Sequence, residues 1–536
     1  MITRRSLMQS SGLAALAAFA VSPNKAVLAQ DGSAAPTLRI AATASAASFT
    51  LDPHFNYGVS TIGLFTYFVW AGLTKMDEEL NVIPDIASSW DLSEDGLTYT
   101  FHIDPERKFS DGTPITAQDV EWSWLRSLDP ATESLVAGSY LKDVVGAADY
   151  WNGSSPDKPS GIKVIDDHTL EVTLIAPRNY FPEVLIHPCT FVIKQADFEA
   201  GSESNPWWTI AKGFTGPFAI SSYSAGQSLE LVANQEYPVP QSLAGVSYRL
   251  VEDPSTQFLL YQNDEVDMTS LAIPDADHII NEDETYRAEL IQVPQWWENN
   301  MYFRQKLAPF EDEHVRRAFM MAIDKDAVIA GVLKNLNPRI DGIFYPGMEA
   351  FNENLQIIPF DVEGAKAELA ASTYGSADAL PPIAFYTSPE ADNTFTRILA
   401  VVQEMWKQNL GVEVEIRAIP TYAEMLDSDV QIVLAGEAVH YPNANNCVGY
   451  LRGGSGSNIS QFEDAAWDEK INIAESTLDP EESIRLYREC EQEVIDRAAL
   501  YPFYQVVAYF LVKPNVTGIT PTAMYTFPNL DQVVIS

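Results

Sequence analysis

The chain has 536 residues, more than one hydrophobic core serves, and its 46% hydrophobic and 11% aromatic content suits two or three packed lobes and excludes a disordered protein. Its formal charge of −41 repels nucleic acid and anionic membrane, so neither is an expected partner. Three cysteines, Cys189, Cys447 and Cys490, permit at most one internal disulfide.

Residues 1–29 read as an export signal. Arg4-Arg5 are twin arginines, residues 13–21 form a short apolar run, and Val27-Leu28-Ala29 suits signal peptidase. The run falls far below the roughly 18 residues of a membrane span, and no cysteine stands at the cleavage point for lipid attachment. The expected mature chain is soluble, begins near Gln30 and lies in the periplasm or outside the cell. Loss of Arg4, Arg5 and Lys25 takes the charge from −41 to −44. That acidity fits ordinary solubility as well as a saline habitat.

Residues 37–43 read as a strand, followed by a loop from Leu51 through Asn56-Tyr57-Gly58-Val59-Ser60. In 84–128, Leu97, Tyr99, Phe101 and Ile103 alternate with polar residues as a strand does, and Ser110-Asp111-Gly112-Thr113-Pro114 makes a turn. Thr116 with Asp119 then forms a capping box ahead of a helix with Val120, Trp124 and Leu128 on one face. Asp91–Gly96 imitates the start of a calcium loop, but His102 stands where the bidentate glutamate belongs and the flanks read as strands, so a polar turn is expected.

Further on, 214–251 is rich in strand patterns. Val315, Phe319, Ala322 and Ile323 make a helix face, with Asp324 capping the next helix. Residues 383–386, the apolar stripe from Phe395 to Trp406 and the alternating Val412, Val414 and Ile416 form a βαβ unit. Asp479-Pro480-Glu481-Glu482 starts a helix reaching about Ala498, with Tyr487, Cys490 and Val494 inward.

The 84–128 block, together with 161–177, the Gly216-Pro217-Phe218 corner, Glu265-Val266-Asp267 and 315–328 (VRRAFMMAIDKDAV), resembles the extracellular solute-binding proteins of ABC importers, in the oligopeptide-, dipeptide- and nickel-binding family, family 5. The resemblance covers nearly the whole mature chain. It implies an α/β, two-lobed periplasmic-binding-protein fold with a hinge and an inserted α+β subdomain, a three-domain, class II-like arrangement. Lobe I would hold 30–68, 186–297 and 506–536, subdomain II 69–185, and lobe III 298–505. The implied function is capture of a peptide or peptide-like solute in the interlobe cleft and delivery to the permease of an ABC importer, by a monomer needing no cofactor. A non-peptide solute, such as an oligosaccharide, an opine-like conjugate or a metal chelate, is the alternative within the same fold.

The expected ligand contacts are the loop residues Asn56, Tyr57, Gly58 and Val59, the doublet Trp296-Trp297 beside the hinge, and Glu437, His440, Tyr441 and Cys447 in 436–446, GEAVHYPNANN. In the family's cleft segment an aspartate precedes Tyr-Pro and pairs with a peptide's α-ammonium group; here that residue is His440. A histidine titrating near about 6.5 cannot replace a fixed negative charge. Either Glu437 supplies the counter-charge or the natural ligand lacks a free α-amine there, and the second is preferred. Glu437, His440 and Cys447 are also metal-ligand types, but their spacing is loose and a polar cleft wall is the simpler reading. No catalytic site is expected: Gly453-Gly454-Ser455-Gly456-Ser457 fails the nucleophile-elbow pattern, and a secreted hydrolase would need a constellation the sequence lacks.

Overall fold

The computed structural model describes residues 35–43, 49–55, 61–202, 205–387, 393–524 and 530–536. The expected signal at 1–29 and the loop residues Asn56, Tyr57, Gly58 and Val59 lie outside the described residues.

A ten-stranded mixed sheet runs through the molecule. Its strand order is Val414–Ala418, Ile383–Thr387, Ile432–Ala438, Leu290–Phe303, Tyr501–Val512, Met268–Ser270, Thr37–Ala42, Gly245–Leu250, Ser228–Ala233 and Phe218–Ser224. The two long central strands are antiparallel. Leu290 to Pro294 pair with Leu511 to Val507, the register shifts between Pro294 and Glu298, and the pairing resumes from Glu298 opposite Gln505 to Met301 opposite Tyr501. Pro294 has no N–H for the ladder, and the bulge gives the strand a bend at that point. Within it the Trp296 N–H donates to the Ala523 carbonyl at 2.6 Å, and Gln505 Nε2 to the Gln295 carbonyl at 2.8 Å. Among the described residues, only these two strands run continuously between the two halves of the sheet.

Each half has its own core. Phe303, Phe319, Phe385 and Trp406 fill one, beneath the βαβ unit made by Ile383–Thr387, helix Asn393–Leu410 and the parallel strand Val414–Ala418. Phe65, Trp70, Phe218 and Tyr248 fill the other. A separate four-stranded antiparallel sheet, in the order Ala87–Leu92, Thr98–Ile103, Thr169–Thr173 and Ile162–Asp166, packs on helix Ala117–Leu128. That helix starts as its sequence dictates: Asp119 Oδ2 accepts from the Thr116 backbone N–H at 2.8 Å and from its hydroxyl at 2.7 Å. Asp91 and Leu92 close a strand, and His102 meets Asp91 at 2.8 Å across it. All three cysteines are buried and free.

The Gly216-Pro217-Phe218 corner is a close approach of two backbones. The Gly216 N–H donates to the Val69 carbonyl at 2.9 Å, and a Cβ at Gly216 would lie 2.6 Å from the Phe68 carbonyl oxygen and from Val69 C. Both obstacles are backbone and cannot swing aside. Gly216→Ala is expected to lower stability by about 1–3 kcal/mol in urea denaturation; an unchanged midpoint would mean that the corner relaxes freely.

Candidate functional site

A fourth apolar cluster belongs to neither half alone. Met76, Tyr180, Val184 and Ile186, from segments bordering the small sheet, pack there with Trp296, Tyr302, Tyr345, Tyr441 and Cys447. Two walls therefore face each other across it. One is built on strands Leu290–Phe303 and Ile432–Ala438, residues 439–443 and helix Ala444–Gly449; the other on helices Ala137–Tyr140 and Phe181–Val184 with His187 beside them.

Sheet register builds the first wall. Glu298 lies directly opposite Glu437, and Asn300 and Tyr302 follow at two-residue steps on the Glu298 face. Asn300 Nδ2 donates to Glu298 Oε1 at 2.7 Å, the Tyr450 hydroxyl donates to the same oxygen at 3.1 Å, and the Tyr302 hydroxyl donates to Glu437 Oε1 at 3.3 Å. Burial pushes the Glu298 carboxyl up to about 8, helped by the negative charge of Glu437, and pushes Glu437 up to about 7. Across the way, burial raises Glu183 to about 8. Among the described residues, no cation contributes to any of these three shifts.

After Ala438 the chain turns. The Val439 N–H donates to the Trp296 carbonyl at 2.8 Å and the His440 N–H to Asn446 Oδ1 at 2.8 Å, while Asn443 caps the next helix through the Asn445 N–H at 3.0 Å. His440 thereby faces the other wall, with its ring 5.9 Å from that of His187 and 6.2 Å from that of Tyr140. Tyr140 and His187 are themselves stacked at 3.8 Å, and Tyr180 stacks on Tyr441 at 6.3 Å. Burial lowers His440 to about 4 and His187 well below its ordinary value, and His187 Nδ1 accepts from the Cys189 N–H at 3.2 Å. Both imidazoles are neutral at pH 7. Glu437 and His440 are half-buried and keep accessible surface between the two walls.

A buried ionic cluster joins the walls at one end. Arg178 Nε donates to Asp143 Oδ1 at 3.1 Å, its NH1 to Ser476 Oγ at 2.8 Å, and its NH2 lies 3.5 Å from Glu475 Oε2. Arg452 holds the other Glu475 oxygen at 2.6 Å, and Asn445 also donates to it.

The residues singled out in the sequence therefore separate. Glu437, His440 and Tyr441 stand together on the first wall. The tryptophan doublet splits, as neighbours on a strand must: Trp296 is buried and donates to the Pro346 carbonyl at 3.2 Å, whereas Trp297 is half-buried on the opposite face with its indole N–H unpartnered. Cys447 lies in the packed layer behind, 3.9 Å from Met348 Sδ, and burial holds its thiol well above the usual range. Among the described residues no three His, Cys, Asp or Glu are gathered as metal ligands. Leu51 to His54, just ahead of the loop residues that lie outside the described ones, is firmly anchored: Asp52 takes Arg126 NH1 at 2.9 Å and the Trp207 indole at 2.8 Å. Sequence reading missed Glu298, Asn300, Tyr450, His187, Arg178 and Glu475. Glu298-Asn299-Asn300 is the legible signal, an unbroken polar run inside a strand of mostly apolar and aromatic residues.

Two lobes joined by two strands, with facing walls beside the crossing, define a solute-binding protein of the periplasmic type. The chain belongs to the bacterial extracellular solute-binding proteins, family 5, whose model matches residues 81–458. It is 29% identical to the periplasmic oligopeptide-binding protein OppA of Escherichia coli K12, over 97% of this chain and 96% of that one. It is 27% identical to the probable deoxycholate-binding periplasmic protein YgiS of the same strain, over 88% of each. Among solved structures, the Escherichia coli murein tripeptide binding protein MppA matches with a TM-score of 0.76 at 23% identity, over 94% of this chain and 98% of that one.

Proposed function

We propose that this protein captures a peptide or peptide-like solute between its walls and delivers it to the permease of an ABC importer, as an exported, non-catalytic binding component. The observation that carries this reading is the pair of facing walls, whose polar side chains meet beside the two strands that, among the described residues, link the lobes. A bend at 294–298 and at 505–506 would part and close the walls by small backbone changes. On this reading lobe I comprises 30–68, 186–297 and 506–536, the inserted subdomain 69–185, and lobe III 298–505. Native mass spectrometry of the purified protein tests it. A co-purified mass that fragments as a peptide is expected, and a reproducible non-peptide mass would replace the peptide label.

That second reading has one specific observation behind it, the neutral His440 before Tyr441-Pro442, and a relative named for deoxycholate shows that the family's names extend beyond peptides. Export through the twin-arginine route rests on Arg4-Arg5 and Val27-Leu28-Ala29. N-terminal sequencing of periplasmic material should begin near Gln30.

A further inference from the structure

Resting on the binding-protein reading, we propose that Glu298, Glu437 and Asn300 form a subsite for a positively charged nitrogen of the solute, an ammonium or guanidinium group. Two carboxylates directly opposite on paired strands face the same way, although nothing in the fold requires like charges to be adjacent. Buried carboxylates are ordinarily paired with a cation, because an unpaired one has lost its hydration without compensation. Among the described residues, the surrounding groups are the hydroxyls of Tyr302, Tyr345 and Tyr450, the Cys447 thiol and the Asn300 amide, and none carries positive charge.

An unused acceptor gives independent support. The Asn300 amide is oriented by its donation to Glu298, and this leaves Asn300 Oδ1 with no hydrogen-bond partner although the residue has no exposed surface. Glu298 is 1% exposed, and the Tyr345 hydroxyl also stands beside its carboxyl. A buried oxygen, Asn300 Oδ1, therefore awaits a donor. Glu437 keeps accessible surface, so the network is reachable from the side between the walls. A cation with several N–H groups supplies both the charge and the donor that this arrangement lacks. His440, neutral and one strand end away, supplies neither.

The mature protein, stripped of co-purified solute, is titrated calorimetrically with trialanine, trilysine and spermidine, and with N-acetyltrialanine amide as the uncharged control. At least one cation is expected to bind, and Glu437→Gln or Glu298→Gln should weaken it by on the order of 100-fold. In wild type the apparent binding heat should depend on the buffer's ionisation enthalpy, since an arriving cation expels protons held by the pair; this dependence should shrink in Glu437→Gln, and a purely structural role would not move it. Should Glu298→Gln fail to fold, Glu437→Gln carries the test alone. Spermidine binding that needs both glutamates, without peptide binding, keeps the subsite and removes the peptide reading. Equal binding of trialanine and its uncharged control, unchanged in the glutamine variants, keeps the peptide reading and overturns the subsite, as does failure of all three cations to bind.

Discussion

Arg178→Ala is expected to loosen the two walls from each other while leaving the lobes folded. The side chain is 9% exposed and is held by Asp143 on its own side and by Ser476 and Glu475 on the other. Its removal leaves Asp143, 5% exposed, and Glu475, 2% exposed, without their shared cation. Removing one partner of a buried ion pair costs roughly 3–5 kcal/mol, because the abandoned charge stays desolvated. Here the loss falls on the state in which the walls touch. When they separate, water can solvate Asp143, and Glu475 retains Arg452. A penalty that acts on one of two conformations shifts the population between them and lowers apparent affinity by the same factor. Hydrogen exchange should therefore speed at least about 10-fold in helices Phe181–Val184 and Ala465–Ser476, with little change around Trp406 or Tyr248. Unchanged protection in both helices would mean that the apolar layer of Tyr180, Tyr441 and Val448 holds the walls without the ionic cluster.

The second large effect concerns pH. Glu298 has a folded pKa raised to about 8, chiefly by burial, against about 4.5 for an ordinary glutamate. The folded state thus holds its proton more tightly than the unfolded chain does. Below about 4.5 both states are protonated and the group has no pH-dependent effect. From there to about 8 the unfolded chain releases its proton while the folded one keeps it, so stability falls as pH rises and levels off above. Glu437, raised to about 7, adds to the fall, and the neighbouring tyrosines and Cys447 stay protonated throughout. Glu298→Gln keeps the acceptor used by Asn300 and Tyr450 and has no proton to lose. Ligand-free Glu298→Gln should match wild type near pH 5 and exceed it by a few kcal/mol at pH 8, read as a melting temperature several degrees higher. A constant difference across that range would show that Glu298 does not titrate there. A residue that weakens the empty protein is the expected signature of a group kept for its ligand.

Much of the fold is written locally. The capping box at Thr116 and Asp119, the alternation around Tyr99 and Phe101, the apolar stripe ending at Trp406 and the inward Cys490 are short-range patterns, and each element has the type its pattern dictates. The family resemblance rests on such segments, so it too was legible before any coordinates. Glu437 and His440 could be named as candidates because they sit beside a recognisable Tyr-Pro turn. What pairs with them could not: Glu298 lies 139 residues from Glu437 in the chain, and only sheet register makes them neighbours. Arg178 and Glu475 are further apart still, on segments that meet only when the walls do. Their separate sequence contexts, a loop after a strand and the end of an amphipathic helix, carry no mark of that meeting. Sequence by itself determined the elements, their order and the class of protein, because propensity, capping and periodicity act over a few residues. Tertiary structure alone decided which carboxylates are buried without a cation, because burial and charge pairing are properties of the space between elements.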